Sequence, residues 1–296
     1  GLAVVTFSIE LERDTPLLTL VVELGAIAVN AVLSPLLAFG IILVMERTLN
    51  LATDLRLEDF DNIHHPLLQQ LNERAPGTYQ HTMAVVRLSE SAAAAIGANA
   101  LLARVGAMYH DIGKLEKSEY FIENQIDIDN KHDRLSPKRS AAIIRQHVQD
   151  GIELAKEYGL PDRIWKFIPM HHGTILIRHF YAKAIDEASE KDLFVDETDF
   201  RYPGPKPDSK ETGIVMIADA AEALSRLVDT SNREQIERAV TDIIIDRTRD
   251  GQLSETPLTM SDLEVIKESL VKSLLGSSHQ RVRYKDVPST SEPSAS

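Results

Sequence analysis

The chain has 296 residues, 43% apolar and 26% charged, with 14 glycines and 13 prolines. That is an ordinary globular mixture, enough for one or two domains, and neither collagen-like nor low-complexity. Against 45 Asp and Glu stand 32 Lys and Arg, a net charge of −13, which argues against a protein that grips a nucleic-acid backbone. Cysteine is absent, so disulfides, thiol nucleophiles and cysteine zinc sites are excluded, and a metal would need His, Asp and Glu.

The chain opens at Gly1 in mid-pattern, as a piece of something longer would. Gly1–Ile9 reads as the end of one span and Glu10–Asp14 as a loop. Leu24 to Met45 is 22 positions without a charge, long enough to cross a hydrocarbon core at about 1.5 Å per residue. Asn30, Ser34 and Pro35 interrupt it, which a membrane helix packed against neighbours tolerates. The competing reading is a core helix of a soluble protein. A signal peptide is disfavoured, because Glu10, Glu12, Asp14 and Glu23 precede the stretch in place of a basic region. Arg47 and Arg56 follow closely and only Arg13 precedes, so the positive-inside rule places everything after residue 46 in the cytoplasm.

Residues 47–64 form a charged connector. Beyond it the pattern is helical almost throughout, and the fold class expected is all-α. A helix opens at Gly77 and runs through Ile96 to Gly97; the next, capped by Asn99, runs to Gly113. Ser136-Pro137 starts another in the order of N-cap and first helical position. Pro161 starts a fourth that closes at Gly173. Further helices are expected over 175–188, 211–228, 233–250 and 261–275, with a loop over 193–210 and a Ser/Pro-rich, disordered tail over 287–296.

Five of the ten histidines form a pattern: His81, His110-Asp111, His147 and His171-His172, with Asp219 completing the set. Both doublets immediately precede an expected helix end. Adjacent helical residues diverge by about 100°, so such a pair serves one metal poorly but can serve two metals side by side. An Asp suits the position between them, since each of its oxygens can hold a cation. A lone helical histidine is usually an ordinary surface or core residue, and His64, His65, His132, His179 and His279 are read that way.

The string His110-Asp111-Ile112-Gly113-Lys114 resembles the signature of the HD-domain phosphohydrolases. Its neighbourhood narrows the match. The strings His65-Pro66-Leu67-Leu68, Ala75-Pro76-Gly77-Thr78-Tyr79-Gln80-His81, Phe121-Ile122-Glu123-Asn124-Gln125, His171-His172-Gly173-Thr174 and Phe200 through Pro207 resemble the cytoplasmic domain of the seven-transmembrane HD family. Those proteins are bacterial membrane phosphodiesterases that degrade cyclic di-AMP. The resemblance implies an HD helical bundle over 65–286, preceded by a membrane segment over 1–46 that ends with the last transmembrane helix. It implies one metal at His81, His110 and Asp219, a second at His147, His171 and His172, and Asp111 as the bridge. So nitrogen-rich a donor set suits manganese or iron rather than magnesium or calcium. The partners implied are a cyclic dinucleotide and a membrane, with a homodimer allowed and no nucleic acid.

Two cations about 3.5–4 Å apart can acidify a shared water and neutralise a phosphodiester. Asp111 and Lys114 are the catalytic candidates, Lys114 as a cation within reach of a phosphate oxygen or else as a solvated residue after a helix end. Arg201, Tyr202 and Lys206 lie in a proline-stiffened loop that is either structural or a rim touching base or phosphate. No P-loop, dinucleotide fingerprint or zincin motif is present, so direct hydrolysis to pApA is the economical mechanism. The alternatives are an HD hydrolase of cyclic di-GMP, (p)ppGpp or dNTPs, and a non-catalytic nucleotide sensor. The first is disfavoured by the larger ligand set and by Gly173-Thr174 after the His-His pair. The second is disfavoured because no ligand is missing.

Overall fold

The computed structural model describes residues 16–49, 54–125, 130–189 and 194–279. The readings made of 1–14 and 287–296 lie outside them. The chain divides into two units between Thr53 and Asp54. In the first, helix α1 spans Leu17–Leu49. Its stretch Leu17–Ile42 is long and apolar enough to cross a membrane and is not buried by the protein. The polar interruptions are partly self-satisfied, with the Ser34 hydroxyl donating to Asn30 Oδ1 at 2.6 Å. Pro35 lies inside the helix.

The second unit is helical. Among its described residues the one β-type feature is an isolated bridge, Leu176 to Arg201. Helix α2 (Asp54–Phe60) lies in the stretch read as the connector. It packs on the domain: Leu57 is fully buried, Phe60 O accepts the Tyr109 hydroxyl at 2.9 Å, and Asp61 pairs with Arg104 at 2.8 Å. Helix α3 (Pro66–Arg74) follows, with His65 Nδ1 accepting from Leu67 N as its cap. Helix α4 (Pro76–Ala95) packs against α3, against α5 (Ala100–Tyr109), and against two later helices, α10 (Lys210–Ser225) and α12 (Met260–His279). Asn99 caps α5 through Leu102 N at 2.9 Å. Helix α10 is buried all round from Thr212 to Ala218, as befits an apolar helix at the centre of a bundle.

The helix expected through Gly113 stops at Tyr109, leaving His110 and Asp111 on the turn before a 3-10 segment, Ile112–Tyr120. A Cβ on Gly113 would lie 1.8 Å from His147 O. Glycine therefore lets this segment touch helix α6 (Pro137–Glu157), which Ser136 caps. The helix expected from Pro161 to Gly173 is two short pieces, α7 (Asp162–Trp165) and α8 (Phe167–Met170). Pro169 has no N–H to offer Trp165 O, so the helix breaks there. The next helix, α9 (Arg178–Ser189), starts three residues later than expected. Residues 175–177 are instead tied to the 200–202 stretch, with Tyr202 N donating to Ile175 O at 3.0 Å and Ile177 N to Phe200 O at 2.8 Å. Helix α11 (Arg233–Arg249) completes the unit between α10 and α12.

Candidate metal centre

Five separate elements each deliver one part of the centre. Helix α4 carries His81, the turn after α5 carries His110 and Asp111, α6 carries His147, the turn after α8 carries His171 and His172, and α10 carries Asp219. Two groups of side chains that could each hold a metal ion result, His81, His110, Asp111 and Asp219, and Asp111, His147, His171 and His172. Asp111 belongs to both. Its Oδ2 lies 3.2 Å from His110 Nε2 and 3.6 Å from His81 Nε2. Its Oδ1 lies 3.6 Å from both His147 Nε2 and His171 Nε2. All seven residues singled out in the sequence are thus brought together.

The ring nitrogens facing away from the centre are fixed by the protein. His110 Nδ1 donates to Ala107 O at 2.7 Å, His147 Nδ1 to Ile144 O at 2.5 Å, and His171 Nδ1 to Phe167 O at 3.1 Å. A proton held on Nδ1 leaves the Nε2 lone pair pointing inward, which is how outer partners orient metal-ligating histidines. His81 Nδ1 instead meets Glu222 Oε2. Inside the centre, His110 Nε2, His147 Nε2, His171 Nε2 and Asp111 Oδ1 are buried without a hydrogen-bond partner. Buried polar atoms left unpaired are costly and rare. Five imidazoles and two carboxylates converging here, three of the imidazoles and Asp111 with an orphaned lone pair, are compatible with divalent metal ions.

Electrostatics divide the two groups. Burial pulls His81 down, but hydrogen bonds to Asp219 and Glu222 outweigh it and raise its pKa to about 9. Burial likewise opposes protonation of His110, and the Asp111 carboxylate overrides it, raising the pKa to about 10. In the other group burial dominates: it pushes His147 down to about 4 and His172 well below the ordinary value. Burial works against the Asp111 carboxylate as well, yet the Lys114 charge, followed by His110, holds it well below the usual range.

Lys114 Nζ sits 2.9 Å from Asp111 Oδ2 and 2.8 Å from Glu123 Oε1, with its side chain 13% exposed. Tyr202 is buried and stacks on the His172 ring, centroids 4.1 Å apart and planes 21° from parallel. Arg201 is engaged by the protein itself: Glu197 at 2.6 Å, both Asp250 oxygens at 3.2 Å, and Thr174 O at 2.8 Å. Lys206 is half-buried, and its Cα would lie 3.5 Å from a Cβ on Gly173.

Three supporting residues were not singled out as site residues in the sequence. Glu222 lies one helical turn after Asp219 and divides its oxygens between His81 and Arg226. Glu123 accepts from Lys114 and from the Thr78 hydroxyl. Gln252 is fully buried and braces the turn after His172, accepting from Thr174 N at 2.9 Å and donating to Asp250 at 2.8 Å. Gly173 has φ +51°, and a Cβ there would lie 2.5 Å from Gln252 Oε1. The i,i+3 spacing of Asp219 and Glu222 was the available signal for Glu222.

A helical bundle closing such a donor set around a His-Asp pair defines an HD domain, and the HD-domain family model matches residues 78–224. A solved structure, the HD domain of the Listeria monocytogenes phosphodiesterase PgpH, aligns with a TM-score of 0.68 at 43% identity, covering 73% of this chain and 100% of that one. The chain belongs to the HD-domain family in its PgpH branch. The same Listeria domain in complex with cyclic-di-AMP aligns with a TM-score of 0.68 at 44% identity, over 73% and 99% of the two chains. The Bacillus subtilis (strain 168) cyclic-di-AMP phosphodiesterase PgpH is 42% identical over 288 residues, 96% of this chain. The chain spans 40% of that relative's length.

Proposed function

We propose that this chain is the catalytic part of a membrane-anchored phosphodiesterase that hydrolyses cyclic di-AMP to pApA with two divalent metal ions, manganese or iron. The observation that carries this reading is Asp111, whose two oxygens each face one histidine group at 3.2–3.6 Å. A relative of the same branch is bound to cyclic-di-AMP in its solved structure, which supports the substrate. Two cations held here would supply Lewis-acid charge and acidify a water that could attack a phosphodiester.

The chain's own residues do the rest. His81, His110 and Asp219 would hold one ion, and His147, His171 and His172 the other. Asp111, kept ionised by the Lys114 ammonium at 2.9 Å, would contribute an oxygen to each. Lys114 is in turn held by Glu123, so its charge stays beside the phosphate position rather than swinging into solvent. Burial of five of the ligands excludes bulk water from one side of the site, which strengthens every charge interaction within it. Tyr202 fixes the plane of the His172 ring. Arg47 and Arg56 after the apolar stretch support a cytoplasmic catalytic domain at a bacterial cell membrane.

The test is the purified chain reconstituted with manganese or iron and incubated with cyclic di-AMP, cyclic di-GMP, (p)ppGpp and dGTP, with products separated by chromatography. The reading expects pApA from cyclic di-AMP, at least about tenfold faster in kcat/KM than cyclic di-GMP is cleaved, a difference one mismatched base contact can supply. Preferred turnover of (p)ppGpp or dGTP would overturn it.

A further inference from the structure

Four of the five candidate imidazoles are aimed by a hydrogen bond from outside the centre. His110, His147 and His171 are held through Nδ1 by backbone carbonyls, and His81 by Glu222. Among the described residues, no hydrogen bond holds the His172 ring. Its plane is set by Tyr202, stacked on it with centroids 4.1 Å apart, and by the turn that carries it. Tyr202 reaches the ring because the 200–202 stretch runs antiparallel to 175–177. Leu176 bridges to Arg201, Ile177 N donates to Phe200 O at 2.8 Å, and Tyr202 N donates to Ile175 O at 3.0 Å.

The turn itself is gripped at Thr174, two residues past His172. Thr174 N donates to Gln252 Oε1 at 2.9 Å, and Gln252 Nε2 donates to Thr174 Oγ1 at 2.9 Å and to Asp250 Oδ2 at 2.8 Å. Arg201 Nη1 donates to Thr174 O at 2.8 Å. Asp250, the residue that ends α11, closes the circuit by accepting from Arg201 Nη1 and Nη2 at 3.2 Å each. Thr174, Gln252, Asp250 and Arg201 therefore form one closed hydrogen-bonded circuit that occupies every polar atom of Thr174. Gly173 fits beside it only because it lacks a Cβ. The Arg201 guanidinium is consumed by these contacts. With Nε donating to Glu197 at 2.6 Å, four of its five N–H groups are committed to the protein. A substrate phosphate would have to displace them.

We propose that Arg201 and Asp250 are positioning residues for the half of the centre formed by His147, His171 and His172. They fix the backbone at Thr174 and the placement of Tyr202, and through these two they aim His172. This rests on the two-metal reading above and deepens it. A ligand that lacks an outer hydrogen bond depends on its backbone and its packing for orientation, and outer support of a ligand is worth about 10–100-fold in metal affinity. The shape of the guanidinium matters as well as its charge. Arg201 spans a carbonyl and both oxygens of a carboxylate at once, which the single ammonium of a lysine does not reproduce. The Arg201-Tyr202 pair is thereby assigned to the metal side of the site, with Arg201 holding the turn and Tyr202 the ring.

The test is manganese titration against a competing chelator, which returns one dissociation constant per ion, with His172→Ala identifying the constant that belongs to the His147 half. Arg201→Ala is expected to weaken that ion about 10–100-fold and to leave the other within about twofold. Arg201→Lys should recover only part of the loss. The double variant Arg201→Ala/Asp250→Ala should cost no more than the costlier single change, because both break the same circuit. Asp250→Asn, which keeps an acceptor for the fork, should weaken the same ion by less, and it carries the test where Arg201→Ala does not fold. Turnover of cyclic di-AMP at limiting manganese should fall in kcat rather than rise in KM, and excess manganese should restore it. A raised KM with both metal constants unchanged would make Arg201 a substrate contact and overturn the proposal. Equal weakening of both ions, or no change in either, would overturn it as well. Failure of the underlying reading looks different: the unaltered chain would bind fewer than two manganese ions.

Discussion

The two halves of the centre share Asp111 and the same Nε2 chemistry, but they differ in proton demand. In the His81 half, Asp219 and Glu222 surround the imidazoles, and His81 and His110 hold protons to about 9 and about 10. In the His147 half no carboxylate other than Asp111 belongs to the group, and burial keeps His147 neutral down to about 4. In the first half, carboxylates favour protons on His81 and His110. In the second, burial keeps His147 and His172 neutral, the state a cation needs. On the two-metal proposal, the shared Asp111 would couple two sites expected to load under different conditions, since metal binding must displace any proton on a ligand.

The largest effect should come from breaking the element the halves share. Asp111→Ala is expected to lower kcat/KM for cyclic di-AMP by at least about 100-fold, more than loss of an outer partner costs, and to reduce bound manganese from two per chain to below one. Elemental analysis alongside kinetics checks both; two retained metals and near-normal turnover would remove Asp111 from its bridging role. Next come the halves separately. His172→Ala and His110→Ala should each leave one metal per chain, whereas loss of both ions from either variant would mean that the halves are not separable.

Outer partners sharpen the comparison further. Glu222→Gln, which removes the charge behind His81, should weaken metal affinity in that half alone by about 10–100-fold. Gln252→Leu, which frees the turn after His172, should do so in the other half. Competition with a chelator measures each, and equal weakening of both halves by either variant would contradict the division.

The smallest effect is a pH dependence of the metal-free protein. His81 and His110 have folded pKa values raised above the unfolded value of about 6.5. Their stabilising contribution is complete below about 6.5 and is lost as pH rises through about 9 to 10. His147 runs the other way: its depressed pKa costs stability as pH falls from about 6.5 toward 4. The urea midpoint of metal-free protein should therefore decline between pH 8 and 10, and that of metal-loaded protein should decline less. Parallel profiles would show that the raised pKa values do not govern the empty cage.

The clustering of the seven side chains was legible because both doublets fall at helix ends, and that position survives errors in helix length. The helix through Gly113 ended four residues early and the one from Pro161 broke at Lys166, yet His110-Asp111 and His171-His172 still turn inward. What could not be read were contacts made across the chain. Gln252 braces Thr174 from 78 residues away, and a single buried Gln has no local signature. Arg201 was open between a loop role and a substrate role; the bonds that occupy it come from Glu197, Thr174 and Asp250, of which only Glu197 is near in sequence. The late start of α9 has the same origin, because pairing between 175–177 and 200–202 competes with helix formation only once both segments are in place.

The most direct measurement is an anomalous difference map from crystals of the manganese-loaded chain. Two peaks are predicted, about 3.5–4 Å apart, one among His81, His110 and Asp219, the other among His147, His171 and His172, with an Asp111 oxygen on each. A single peak, or two peaks that do not share Asp111, would contradict the account.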